Sequence, residues 1–199
     1  AVTPSRNPND LIQSIKMVKN FADAISDIED VGVTLISSDA VYGDRNGIIS
    51  ESTECNPDSF HGLAQLSREI ILKSSGIKKL AILRLSAVYG LGDTHNSYGP
   101  NRFMRQLHAN APVEIFGEGK NKRDHVFIDD VTELIHKSIE EVSILCHNIM
   151  GKSNNTIYVG QEGKIIDKSF DISKLKSTFR DFNPTSLEEG LVSLASKIY

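Results

Sequence analysis

The sequence predicts an α/β fold in which a parallel sheet is flanked by helices and followed by a small C-terminal α/β lobe. Amphipathic stretches at helical spacing alternate with short, continuous apolar runs rich in β-branched residues, and the joints between them are short. Helix, strand, helix, strand in that order is how a right-handed parallel sheet is built. Continuous rather than alternating apolar runs mark strands buried on both faces.

The elements follow in order. From Asn9 the residues Leu11, Ile12, Ile15, Val18, Phe21, Ala22 and Ile25 share one helical face, with Asn9 or Asp10 as N-cap. Val31 to Ser37 reads as a buried strand ending at Ser38-Asp39. A second helix is expected from near Ser59 through Leu72, stopping at Gly76, where a left-handed cap fits. Leu80 to Leu85 is the next strand, closed by Tyr89-Gly90-Leu91-Gly92. Beyond Gly99-Pro100 the pattern predicts a helix over Phe103–His108, a short strand over Val113–Phe116 and another over His125–Ile128. Asp130-Val131-Thr132-Glu133 reads as a capping box opening a helix through Ile139, and Thr185-Ser186-Leu187-Glu188 repeats that signature. Met150 to Ser169, rich in Gly, Ser and Asn, gives no firm element.

Bulk properties narrow the class. The chain has 199 residues, 39% hydrophobic and 24% charged, which suits a soluble globular protein. No apolar run reaches the roughly 18 residues that a membrane span needs. A net charge of -4 argues against general nucleic-acid affinity, which requires clustered Lys and Arg. Cys55 and Cys146 have neither metal-site nor disulfide spacing, so no metal is expected and a reducing cytoplasm is the expected compartment.

Four local patterns stand in a telling order. Ser37-Ser38-Asp39-Ala40-Val41-Tyr42-Gly43 follows the first strand. His61-Gly62-Leu63-Ala64-Gln65-Leu66-Ser67-Arg68-Glu69 lies in the second helix. Arg84-Leu85-Ser86-Ala87-Val88-Tyr89-Gly90 closes the next strand. The last runs Phe116-Gly117-Glu118-Gly119-Lys120-Asn121-Lys122-Arg123-Asp124-His125-Val126-Phe127-Ile128-Asp129-Asp130-Val131. Taken singly each has a plain reading: Ser38 and Asp39 a strand-end turn, Gly117 and Gly119 a loop, Arg123 and Asp124 a surface ion pair. In sequence, they resemble the S-S/T-x-x-V-Y-G, Y-G-x-x-K-x-x-x-E, R-x-x-N-V-Y-G and G-x-G-x-x-x-R-D segments of nucleotide-sugar epimerases and dehydratases. These form the NAD-dependent, extended branch of the short-chain dehydrogenase/reductases. The stretch from Asp171 to Leu191 is similar to that family's C-terminal pattern, so the resemblance covers nearly the whole chain.

The resemblance implies a truncated Rossmann-like sheet over residues 1–95 and a mainly substrate-binding lobe over 96–199, with some segments returning to the sheet. It implies NAD(P) as cofactor, with Ser37, His61, Gln65 and Leu85 at its site. It also implies a UDP-, dTDP- or GDP-sugar contacted by Ser38, Ala87, Phe103, Ile115, Phe116 and Arg123, the guanidinium suiting a diphosphate. Ser38, Asp39, His61 and Gln65 fall on the catalytic positions. Homodimerisation through the helices near 9–25 and 59–74 is implied too.

Against the family pattern, the chemical positions have changed. Members pair a Tyr acid/base with a Lys one helical turn on, whose ammonium lowers the phenol's proton affinity. Here those positions hold His61 and Gln65, and Ala87 stands where the family has Asn. Histidine titrates near neutrality unaided, but Gln brings no charge. Asp39 matches the sugar 4,6-dehydratases, whereas Ala40 replaces their Glu. No G-x-x-G-x-x-G turn for the dinucleotide phosphates is present, and Ala1-Val2-Thr3-Pro4 resembles the loop after the family's fourth strand. About 80 further residues, or a partner chain, would be needed for that part of the NAD site. The expectation is a nucleotide-sugar epimerase/dehydratase-like protein with impaired or lost standard catalysis. The alternative is a noncatalytic nucleotide-sugar-binding, regulatory or oligomerisation protein.

Overall fold

A computed structural model describes residues 4–93, 99–115, 121–140, 145–149, 156–159 and 168–198. The chain forms two compact units and passes between them repeatedly. The first comprises residues 1–44, 51–85 and 135–148, and the second 45–50, 86–134 and 149–199.

In the first unit, helix α1 spans Pro8–Ile25. Its N-cap is Asn7, two residues before Asn9 and three before Asp10, the caps that the apolar spacing suggests: the Asn7 side chain accepts from the Asp10 amide, and Pro8 occupies a position where a missing N–H does no harm. Strand β1 (Gly32–Ser38) leads into a 3-10 turn at Asp39–Tyr42. Helix α2 (Phe60–Ser74) starts at the expected cap, Ser59, whose Oγ accepts from the Gly62 amide at 3.1 Å. Gly76 then takes the left-handed conformation at φ 77°. The next strand in this sheet, Lys79–Leu85, pairs with β1 in parallel from Gly32 opposite Lys79 to Ser38 opposite Leu85. Val18 and Ala22 of α1, Leu72 of α2, and Leu35, Leu80 and Ile82 of the sheet make one buried cluster. Each fully buried Leu there contributes about 1.5–3 kcal/mol.

Between those elements the chain contributes β2 (Gly47–Ile49) to the second unit, so the strand at Lys79–Leu85 is β3. The second unit continues with β4 (Ala87–Tyr89), α3 (Gly99–His108), β5 (Asn121–Phe127) and α4 (Ile128–Glu140), whose last turns belong to the first unit. Strand β6 (Leu145–Ile149) completes the sheet β1-β3-β6, and β7 (Thr156–Val159) lies antiparallel to β5. Strand β8 (Lys168–Phe170) pairs in parallel with β2, and α5 (Ser173–Thr178) and α6 (Leu187–Ile198) end the chain. Tyr89, Phe127 and Leu194 form the buried centre of this unit, with Met104, Ile128, Leu187 and Leu191 packed around them.

Several sequence expectations are corrected here. Residues 111–115 are irregular rather than a strand, and Phe116 lies outside the described residues. The strand expected over His125–Ile128 begins at Asn121, and Ile128 already belongs to the helix. Asp130 is therefore inside the first turn of α4 and does not cap it; its carboxylate accepts from the Thr185 amide at 2.8 Å and from the Thr185 hydroxyl. The second capping box exists one residue later than read. The Ser186 amide donates to Glu189 at 2.8 Å and the Glu189 amide donates to Ser186 Oγ at 3.2 Å. Asp130→Ala removes the carboxylate that accepts both Thr185 hydrogen bonds, so a loss of about 1–2 kcal/mol in urea unfolding is expected.

Candidate active site

The C-terminal end of β1 and the first half of α2 come together in the first unit. A Cβ on Gly62 would lie 2.3 Å from the Ala40 carbonyl oxygen, so only glycine lets α2 approach the 3-10 turn this closely. That approach brings His61 within electrostatic reach of Asp39. Ser38 is half-buried; its Oγ accepts from the Ala40 amide and donates to Asp39, both at 3.2 Å. Burial lowers the proton affinity of His61, with the Asp39 carboxylate opposing and the Arg68 guanidinium reinforcing the effect. His61 is thus held as the neutral imidazole near pH 7, the form that can accept a proton.

Gln65 is buried, and its Oε1 accepts from Arg68 Nη1 at 2.7 Å. Beneath this face lies a charged network that joins three of the sequence motifs. Arg84 donates to both carboxylate oxygens of Glu69, Nε to Oε1 at 2.9 Å and Nη2 to Oε2 at 2.7 Å. Its Nη1 donates to the Tyr42 hydroxyl at 2.7 Å, and Ser37 Oγ donates to Glu69 Oε1 at 2.6 Å. Glu69 and Arg84 are both inaccessible, with side chains 0% and 5% exposed. Burial alone would raise the Glu69 proton affinity, but hydrogen bonds from Arg84 and Ser37 and the charges of Arg84 and Lys73 hold it below the ordinary value. The Ser37 hydroxyl is therefore committed inside the protein. Leu85, buried, ends β3 opposite Ser38.

The remaining candidate residues belong to the second unit. Ala87 starts β4 opposite His125, Phe103 is half-buried in α3, and Ile115 is exposed in irregular chain. Arg123 is half-buried in β5 opposite Ile157, and among the described residues no carboxylate pairs with its guanidinium. Arg84 is thus neutralised by Glu69, whereas no carboxylate pairs with Arg123 among the described residues.

The 3-10 turn and α2 are each capped by a serine, Ser38 Oγ accepting from the Ala40 amide and Ser59 Oγ from the Gly62 amide. No group of three or more His, Cys, Asp or Glu able to hold a metal occurs among the described residues, nor does a helix long and apolar enough to cross a membrane.

The comparison with known proteins decides the family. The model of the NAD dependent epimerase/dehydratase family matches residues 4–149. This chain belongs to that family. Its Rossmann-like α/β fold agrees. The UDP-N-acetylglucosamine 4-epimerase of Bacillus cereus superposes with a TM-score of 0.85 at 19% identity, over 100% of this chain and 76% of that one. The UDP-glucuronic acid 4-epimerase of Bacillus cereus, solved with UDP-glucuronic acid and NAD, gives 0.81 at 23% identity, over 100% and 73%. A Bacillus subtilis protein named as an uncharacterised UDP-glucose epimerase is 28% identical over 183 residues, 79% of this chain and 57% of that protein. This family member therefore spans little more than half the length of that relative.

Two features of the site escaped the motif reading. The Ser37–Glu69–Arg84–Tyr42 network is signalled only by the E, R and Y letters inside the motifs. Arg68 is signalled by a charge seven residues after His61 on one helical face.

Proposed function

We propose that this epimerase/dehydratase family member binds a nucleotide sugar, a UDP-, dTDP- or GDP-sugar, and that the family's standard catalysis is impaired or lost in it. The observation that carries the binding half is Arg123, a half-buried cation without a carboxylate partner among the described residues, at the position where the family pattern puts the diphosphate contact. Ser38, Ala87, Phe103, Ile115 and Phe116 complete the proposed sugar-nucleotide contacts. The solved relatives support the ligand class, since one holds UDP-glucuronic acid and NAD.

The catalytic half of the proposal rests on α2. A Tyr–Lys pair moves a proton through a phenol whose ionisation a neighbouring ammonium makes accessible. His61 can accept a proton near neutral pH, with Asp39 within electrostatic reach, but Gln65 supplies hydrogen bonds without charge. NAD(P) is the cofactor that the family resemblance implies, with Ser37, His61, Gln65 and Leu85 as the proposed contacts, although the Ser37 hydroxyl is already held by Glu69.

The test is turnover. Incubating the full chain with NAD and UDP-glucose or UDP-glucuronic acid, followed by NMR of the sugar, is expected to give no 4-epimer or 4-keto product above a boiled control. Steady product formation that disappears in His61→Ala would contradict the proposal.

A second reading has its own support, an apolar surface on the two helices. Ile12, Met17 and Phe21 of α1 and Leu63 and Ile70 of α2 are all more than 40% exposed although α1 and α2 pack together. Such a face fits homodimerisation through α1 and α2. Sedimentation at tens of micromolar is expected to show a dimer that Phe21→Glu converts to monomer; a monomer from the unaltered chain removes this reading.

A further inference from the structure

The positive charge that the family pattern would place at residue 65 has a replacement one turn further along α2. His61, Gln65 and Arg68 stand at i, i+4 and i+7, successive turns of one helical face. Arg68 is half-buried, and its Nη1 donates to Gln65 Oε1 at 2.7 Å. The Nε of Arg68 is buried without a hydrogen-bond partner. An arginine that only decorated a helix would extend into water and satisfy all of its donors there. This one lies back along the face that carries His61, although the adjacent Glu69 is fully engaged with Arg84 and Ser37.

We propose that Arg68 is a positioning residue for the chemical face of α2: it holds the Gln65 carboxamide by its oxygen and sets a permanent positive charge next to the His61 imidazole. With Oε1 taken, Gln65 presents its amide –NH2, so the face offers donors to a bound hydroxyl or ribose where the family pattern has an ammonium. Burial is the largest influence against the imidazolium; of the charged groups acting on His61, Asp39 from the 3-10 turn favours it and Arg68 from α2 opposes it. Arg68 does not touch the reacting atoms in this arrangement; it acts through Gln65 and through its field. The proposal rests on reading this face of α2 as the chemical one.

The test is the His61 titration followed by NMR in the full chain, assigned with His61→Gln, for the unaltered protein, Arg68→Met and Arg68→Lys. The midpoint is expected to rise in Arg68→Met and to return toward its original value in Arg68→Lys. A folded Arg68→Met whose His61 midpoint does not move overturns the proposal. Where Arg68→Met fails to fold, the Arg68 side chain of the unaltered protein decides. Slowed guanidinium rotation that quickens in Gln65→Leu supports the contact, and free rotation in the unaltered protein overturns it. Intact coupling in a protein that binds no nucleotide sugar would sink only the functional reading above; sugar binding with an unmoved His61 would sink only this one.

Discussion

Glu69→Ala is expected to destabilise the protein by about 3–5 kcal/mol, enough to remove most of the stability of a domain this size. The substitution takes from the buried Arg84 guanidinium, 5% exposed, the carboxylate that accepts from its Nε and Nη2. Ser37 and Lys73 lose their acceptor at the same time. The network also gives stability a defined dependence on pH. The folded-state proton affinity of Glu69 lies below its unfolded value, so its contribution is fully present above the unfolded carboxylate range. That contribution is lost as pH falls through the folded value. Urea unfolding at pH 7 and at pH 4 checks both points: the gap between the two proteins should be large at pH 7 and narrow on acidification. A Glu69→Ala protein within about 1 kcal/mol of the unaltered one at pH 7 would show that the buried pair is dispensable.

The second large effect is expected at Gly43, where Ala should cost about 3 kcal/mol or more. Two separate penalties meet there. The backbone has φ 68°, which disfavours any residue with a Cβ, and that Cβ would sit 2.3 Å from the Asn56 carbonyl oxygen. Both partners are backbone, so neither can swing aside as a side chain would. The turn fixes the 3-10 segment that carries Asp39 and Tyr42 and ties the following residue to α2's approach through the Asp44 amide, which donates to Asp58 at 2.8 Å. Thermal unfolding should fall by several degrees, and the fluorescence of Tyr42 should report local loosening. Unchanged melting would mean the turn tolerates rearrangement.

These effects explain what the motifs encode. In V-Y-G the tyrosine accepts from Arg84 and the glycine makes the turn; in the α2 motif Gly62 permits the close approach and Glu69 neutralises Arg84. Letters that look catalytic by their place in a pattern are thus partly architectural.

The first unit was readable because each of its elements carries its own signal. Helix α1 has a long apolar stripe, β1 and β3 are continuous apolar runs, and α2 is bracketed by Ser59 and Gly76. What failed were features defined by partners far away in the chain. The β2–β8 pair consists of three-residue strands separated by more than a hundred positions, and neither has a local pattern. Val113–Phe116 has the composition of a strand, but residues 111–115 are irregular. Asp130 looked like a cap because Asp caps helices, yet its acceptor capacity is taken up by Thr185. The charged network under α2 was invisible for the same reason, since Ser37, Tyr42, Glu69 and Arg84 meet only after folding. Arg68 escaped because a motif reading stops at the motif's fixed letters.

The claim most exposed to disproof is that a diphosphate-linked sugar is still gripped although the proton-transfer pair has changed. Calorimetric titration of UDP-glucose into the full chain and into Arg123→Ala reads it directly. Saturable binding that weakens at least about tenfold in the variant, near 1.4 kcal/mol, is the predicted result. Equal affinity in both proteins, or no saturable heat in either, would contradict it.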